Sequence, residues 1–243
     1  MKIAIFGATS EIAKDLIQSF TAHDEHELLL FARRPKEVEQ WLEVVGLSKR
    51  CKFFDFYEFS ENLKINVIIN FVGVGDPAKT ILMGASIFDI TYHYDTIALA
   101  YLQKHQDCKY IFLSSGAVYG SNFEEPANCR TPSFLLLNNL QPEDYYGIAK
   151  LYAECRHRAA KDSAIVDIRV FNYYSRTQTV NSRFLIFDIA RAVRDQSTLE
   201  TDGINIVRDY LHPQDLYQLV NKILLSESKN ISIDCYTRKA ISK

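Results

Sequence analysis

Short, continuous apolar runs alternate along the chain with longer segments whose apolar residues recur every three to four positions, the spacing of a buried helix face. Residues 2–6 form a strand-like run. Residues 10–20 follow with Ile12, Leu16, Ile17 and Phe20 on one helical face. Residues 27–31 read as a second strand, 35–45 as a helix opened by proline, 51–54 as a short strand and 66–72 as a buried one. The pattern then predicts a helix over 88–105, a strand over 109–114, a helix over 144–161 and a strand over 164–171. Beyond Phe171 it loosens, with helices near 184–194 and 213–226 and a last strand near 231–235.

Strands that are apolar throughout, separated by helices, belong to a parallel sheet covered on both faces. The expected fold is therefore α/β, a doubly wound parallel sheet (Rossmann fold). Residues 1–172 are expected to form the dinucleotide-binding domain, and 173–243 a small substrate lobe interleaved with the end of the sheet. The proline-bearing loop 121–141 precedes the helix with the most suggestive chemistry, and long loops in compact domains are often binding loops.

Composition narrows the class. The 243 residues are 47% hydrophobic and 24% charged, ordinary globular values that exclude a disordered chain. A formal net charge of −2 argues against a general nucleic-acid partner. The apolar runs are too short to cross a bilayer, and the four-residue run before Gly7 is no secretory signal. Five scattered cysteines without CxxC spacing read as reduced thiols of a cytoplasmic protein, and the histidines show no metal-ligand spacing.

The first strand runs into Gly7-Ala8-Thr9-Ser10-Glu11-Ile12-Ala13. A dinucleotide turn carries glycines for a tight turn, for close approach of a pyrophosphate and for helix packing. Here only Gly7 is kept, but Ser10 and Ala13 are small, and a phosphate can sit on the helix N-terminus. The bland alternative is a strand-turn-helix with a serine cap. The second strand ends Phe31-Ala32-Arg33-Arg34, without the acid that bonds a ribose 2′-hydroxyl. Two guanidinium groups suit a 2′-phosphate, so NADP(H) is preferred and NAD(H) kept open; a solvated basic turn is the alternative.

Tyr146 and Lys150 lie four apart and share a helix face. A tyrosine titrates near about 10, and an ammonium one turn away favours its phenolate. Tyr145 has Ala149 in the matching place and lacks this help. Upstream, a strand ends in Ser114-Ser115-Gly116-Ala117-Val118-Tyr119-Gly120, and parallel sheets place ligands at the carboxyl ends of their strands.

Together these segments resemble the extended short-chain dehydrogenase/reductases, the NAD(P)-dependent epimerase/dehydratase family that acts mostly on nucleotide sugars. The resemblance runs in order from Ile3 to about Leu216. It takes in the turn at Gly7, Asp55-Phe56, Asn70-Phe71-Val72-Gly73, the Ser115 segment, Tyr146-Gly147-Ile148-Ala149-Lys150, Arg169-Val170-Phe171-Asn172 and Arg208-Asp209-Tyr210. It implies that Ser115 bonds the substrate carbonyl oxygen, Tyr146 is the acid/base, and Lys150 tunes Tyr146 and holds the nicotinamide ribose. It implies cofactor contacts from Gly7, Thr9, Ser10, Glu11, Ile12, Arg33, Arg34, Asp55, Phe56, Phe71, Val72 and Gly73. Asn172 and Arg208 would meet the diphosphate of a sugar nucleotide; an ion pair of Arg208 with Asp209 or Asp215 is the structural alternative.

The 4,6-dehydratases of the family resemble one another in an Asp-Glu pair after the catalytic hydroxyl. Here Gly116 and Ala117 stand there, and neither can move a proton. The expectation is reduction of a 4-keto sugar nucleotide by NADPH; 4-epimerisation with tightly held NAD and a non-catalytic NADP(H) sensor are the alternatives. The resemblance implies a C-terminal lobe larger than the 27 residues that follow Leu216, so a small, shortened C-terminal lobe is expected, with the segment 134–141 a candidate cap over a reduced pocket. The family resemblance also implies a homodimer through paired helices, with Tyr94, Ile97, Ala98 and Tyr101 as candidate contacts.

Overall fold

The structure is a computed structural model and describes residues 1–74, 77–120, 125–178 and 184–243. Strands β1 (Lys2–Phe6), β2 (Glu27–Phe31), β3 (Cys51–Phe54), β4 (Val67–Asn70), β5 (Lys109–Ser115), β6 (Ile165–Val170) and β8 (Asn230–Cys235) form one sheet in the order β3-β2-β1-β4-β5-β6-β8. Every pairing in it is parallel. The order reverses beside β1, so β1 and β4 diverge into helices on opposite faces and open a crevice at their carboxyl ends.

Helices α1 (Glu11–His23), α2 (Pro35–Val44) and α7 (Pro213–Leu225) cover one face. Their Leu16, Phe20, Val38, Leu42, Leu216 and Val220 pack on the Ile3, Leu28, Val67 and Ile111 side of the sheet. Helices α4 (Ser86–Lys104) and α5 (Asp144–Ala159) cover the other, where Ala98, Tyr101, Leu102 and Ala153 meet Phe6, Phe31, Tyr110 and Phe112. Alternate residues of each strand supply the two cores, which is why the strands read as unbroken apolar runs.

The expected boundaries hold to within a few residues for most elements. The fourth strand is shorter than expected because its chain leaves the sheet at Phe71 to form the crevice wall. Among the α-helices and strands of the described residues, three have no counterpart in the sequence pattern: α3 (Pro77–Met83), and the two-residue strands β7 (Val207–Arg208) and β9 (Ile241–Ser242), which pair antiparallel. The segment after residue 172 divides its roles. Helix α7 and strand β8 complete the main sheet layer, while α6 (Leu185–Asp195) and the β7-β9 ribbon stand apart from it.

The residues expected to face a second subunit are largely interior. Tyr94, Ala98 and Tyr101 are buried, and Ile97 packs against the same core. The exposed residues of that helix face are instead Tyr92, stacked on Tyr152 of α5, with the Arg156 guanidinium over both rings. Among the described residues, no helix is long and apolar enough to cross a membrane.

Candidate active site

A cleft of about 580 Å³ opens at the carboxyl ends of the strands, along the crevice between β1 and β4. Its floor begins at Gly7, whose φ of +75° lies in the left-handed region. A Cβ there would stand 3.0 Å from the Val72 nitrogen, so glycine is what lets the turn approach the end of β4. Ser10 stands in extended conformation before α1, and its side chain makes no capping hydrogen bond. The first amides of α1 are thus left without a side-chain partner, next to Thr9, Ser10, Glu11 and Ile12, all of which line the cleft. That is the anatomy of an anion site at a helix N-terminus, and it suits a pyrophosphate.

Arg33 and Arg34 line the cleft where β2 ends, both exposed. Arg34 shares its guanidinium with Glu37 at 2.8 Å. Beside them Phe56 and Tyr94, with ring centroids 4.4 Å apart, form an aromatic wall that also faces the cleft. Asp55 does not line it. Its carboxylate accepts the Tyr57 N–H at 3.0 Å and caps the turn Phe56–Glu58, so it holds Phe56 in place rather than facing the cleft.

At the opposite end stand Ser115 and Tyr146, with Lys150 buried behind them and not lining the cleft. Ser115 ends β5, and its Oγ accepts the Ala117 N–H at 3.2 Å, opening the 3-10 turn Gly116–Tyr119. Helix α5 meets this turn at Gly147, where a Cβ would stand 2.5 Å from the Ala117 carbonyl oxygen. The glycine of the Tyr-Gly-Ile-Ala-Lys segment therefore sets how closely Tyr146 approaches Ser115. Burial pushes the Tyr146 hydroxyl up to about 12, and the neighbouring Ser115 hydroxyl acts to lower it. Tyr146 is thus protonated at neutral pH.

Lys150 is only 2% exposed. Its Nζ donates to the carbonyl oxygens of Leu113 at 2.7 Å and Val72 at 3.2 Å, lies over the Phe112 ring, and stands 5.8 Å from the Tyr146 ring centroid. Burial lowers it to about 8, while Asp95, Asp167 and Glu154 oppose that shift. Gly73 leaves room for it: a Cβ there would stand 3.1 Å from Nζ.

The structure brings Gly7, Thr9, Ser10, Glu11, Ile12, Arg33 and Arg34 into one cleft with Phe56, Phe71, Val72, Gly73, Ser115, Tyr146 and Asn172. It does not bring Arg208 there. Arg208 lies exposed on β7 and donates to the Val207 carbonyl oxygen at 2.9 Å, while Asp209 is bound by Thr237, so the cleft does not engage it, nor does an ion pair with Asp209 or Asp215. Nor does 134–141 line the cleft; Phe134, Leu136 and Leu137 are exposed. Lys79, Phe171, Phe184, Ile186 and Tyr210 line it without having been singled out as site residues, and Tyr94, expected as a subunit contact, lines it too. Phe171 and Tyr210 sat inside motifs already marked, which was the available signal.

A doubly wound parallel sheet with Ser115 and Tyr146 at its crevice and Lys150 buried behind them defines the class. The NAD dependent epimerase/dehydratase family model matches residues 3–233, and the chain belongs to that family. No curated protein matches it at a significant level. Solved structures share its fold at low identity. One is a UDP-glucose 4-epimerase from Bifidobacterium longum in complex with NAD+ and UDP, with 21% identity and a TM-score of 0.76, covering 100% of this chain and 80% of that one. Another is a dTDP-glucose 4,6-dehydratase from Bacillus anthracis in complex with NAD, with 17% identity and a TM-score of 0.78, covering 100% and 77%. A third is a UDP-N-acetylglucosamine 4-epimerase from Methanobrevibacter ruminantium, with 15% identity and a TM-score of 0.77, covering 99% and 78%.

Proposed function

We propose that the chain reduces a 4-keto sugar nucleotide with NADPH. The observation that carries this reading is the Ser115–Tyr146 pair at the cleft: a hydroxyl donor beside a tyrosine that keeps its proton at neutral pH. That is the state a general acid needs when a ketone becomes an alcohol.

The residues fit a dinucleotide. The α1 N-terminus and Gly7 would hold the pyrophosphate, Phe56 and Tyr94 the adenine, and Gly73, backed by the buried Lys150, the nicotinamide end. Arg33 and Arg34 would bind a 2′-phosphate by charge and fork geometry, and no carboxylate stands at that strand end to select a free 2′-hydroxyl. NADPH, when bound, would supply the hydride for the keto carbon. Ser115 bonds the carbonyl oxygen, and Tyr146 gives that oxygen its proton. The expected lowering of Tyr146 by Lys150 is not met, since burial raises the hydroxyl; Lys150, fixed by two backbone carbonyls, instead holds the Tyr146 helix against β5. Gly116 and Ala117 offer no group for elimination, so the alcohol is the end of the reaction.

The NAD-bound epimerases among the structural neighbours favour a second reading, 4-epimerisation with tightly held NAD. The two separate on adding a 4-keto-6-deoxy sugar nucleotide and following the nicotinamide absorbance. Net NADPH oxidation supports the reductase. NAD retained through purification, with sugar interconversion and no net oxidation, supports the epimerase and overturns the reductase.

A further inference from the structure

Behind Ser115, between α5 and the sheet, lies a buried ionic cluster that the proposed chemistry does not use. Glu154 stands on α5 one turn beyond Lys150 and two beyond Tyr146, so all three share one stripe of the helix. It is only 3% exposed. Its Oε1 accepts from Ser114 Oγ at 2.5 Å. Arg169 of β6 grips both its oxygens, Nε at 3.0 and 3.1 Å and Nη2 at 2.5 Å. Ser232 of β8 donates to Oε2 at 3.1 Å. The same Arg169 donates from Nη1 to Tyr119 Oη at 2.5 Å, and Tyr119 in turn donates to Asp234 of β8 at 2.8 Å.

Ser114 and Tyr119 bracket the turn that carries Ser115. One is the residue before it; the other closes the 3-10 turn that Ser115 caps. A single carboxylate therefore reaches one end of the turn directly and the other through Arg169. It does so from the helix that carries Tyr146.

We propose that Glu154 is a positioning residue that sets the Ser115 hydroxyl against Tyr146 by clamping both ends of the Ser115 turn. The inference rests on the ketoreductase reading for its kinetic consequence, and on geometry alone for the clamp. Burial by itself would push the Glu154 carboxyl up, but Arg169, Ser114 and Ser232 outweigh it and leave it below its ordinary value. The clamp is accordingly ionised wherever the enzyme works. A bidentate arginine–carboxylate pair fixes direction as well as distance, which a positioning device requires.

Glu154→Gln leaves Arg169 buried beside a neutral amide and risks the fold itself. The decisive variants are therefore Ser114→Ala and Tyr119→Phe, which cut one tether each and leave the Glu154–Arg169 pair intact. Two readouts are taken on the full chain. The first is amide exchange at Ala117 and Gly120, whose N–H groups bond to Ser115 Oγ and the Ala117 carbonyl oxygen. Both variants are expected to speed exchange there while α5 and β6 keep their protection. The second is kcat, in single variants and in a Ser115→Ala background. Each single variant is expected to lose about 10- to 100-fold in kcat, as misplaced catalytic groups do, with NADPH affinity unchanged. The loss is expected to vanish when Ser115 is already gone, because residues acting through one another are not additive. Unchanged exchange at both amides, or an equal loss with and without Ser115, overturns the clamp. If the wild type fails to reduce a 4-keto sugar nucleotide, the reductase reading fails and the exchange measurement still decides the clamp.

Discussion

Lys150 donates from Nζ to the Leu113 carbonyl oxygen at 2.7 Å, so the helix bearing Tyr146 is pinned to β5 two residues before Ser115. The same ammonium reaches the Val72 carbonyl oxygen at 3.2 Å and fills the space above Gly73. Lysine and glycine are thus a matched pair across the floor of the site.

Gly73→Ala is expected to disturb that pair. The φ of +145° is one that residues with a Cβ rarely adopt, and the new methyl would press on an ammonium held by two carbonyls. The expected outcome is a kcat loss of about 10-fold or more, with weaker cofactor binding, measured by steady-state kinetics and calorimetric titration.

Arg33→Ala combined with Arg34→Ala is expected to weaken NADPH binding far more than NADH binding. The difference is what a lost charge-assisted phosphate contact leaves behind, of order 10-fold per arginine at about 1.4 kcal/mol each. Titration calorimetry with both cofactors checks it. Equal losses would remove the 2′-phosphate from the account.

Gly116 and Phe171 form a second matched pair. A Cβ at 116 would stand 2.3 Å from Phe171 Cδ1, and the Phe171 ring is stacked on Tyr119. Gly116→Ala is expected to cost about 1–3 kcal/mol through overpacking. Adding Phe171→Leu is expected to restore part of that stability. Thermal unfolding of the single and double variants checks both.

His157 is fully buried, with Nδ1 2.6 Å from Asp167 Oδ1 and Nε2 2.7 Å from Asp95 Oδ1. Burial alone would lower it, but the two carboxylates raise it to about 9. Tyr110 Oη also donates to Asp95, Arg156 pairs with Asp95, and Arg158 pairs with Asp167. The folded value lies above the ordinary value near about 6.5. Its contribution to stability is therefore full below about 6.5 and is lost as pH rises through about 9. The Tm gap between wild type and His157→Gln is expected to be widest near pH 6 and to narrow toward pH 9.5, as checked by about ten-point pH-dependent melting.

The sheet and its main helices were legible because buried parallel strands must be apolar on both faces, and β1, β2 and β4 are. The approach of the Gly7 turn, Ser115 and Tyr146 to one crevice was legible because each occupies a strand or helix end that topology sends there, while Lys150 lies buried behind them. Arg208 was misplaced because a motif gives order along the chain but not the direction of a two-residue ribbon. The buried polar layer went unread because Glu154 and His157 look like the solvated face of an amphipathic helix. Its trace was Asp167 and Arg169, charges inside a strand flanked by β5 and β8 on both sides, where solvent does not reach freely.

The central claim is that Tyr146 delivers a proton to a substrate oxygen held by Ser115. Its most direct test compares wild type with Tyr146→Phe, following NADPH oxidation on addition of a 4-keto-6-deoxy sugar nucleotide, with NADPH affinity measured alongside. The account expects kcat to fall about 10²- to 10⁴-fold in the variant while cofactor affinity stays within a few fold. Turnover by Tyr146→Phe at the wild-type rate would contradict it.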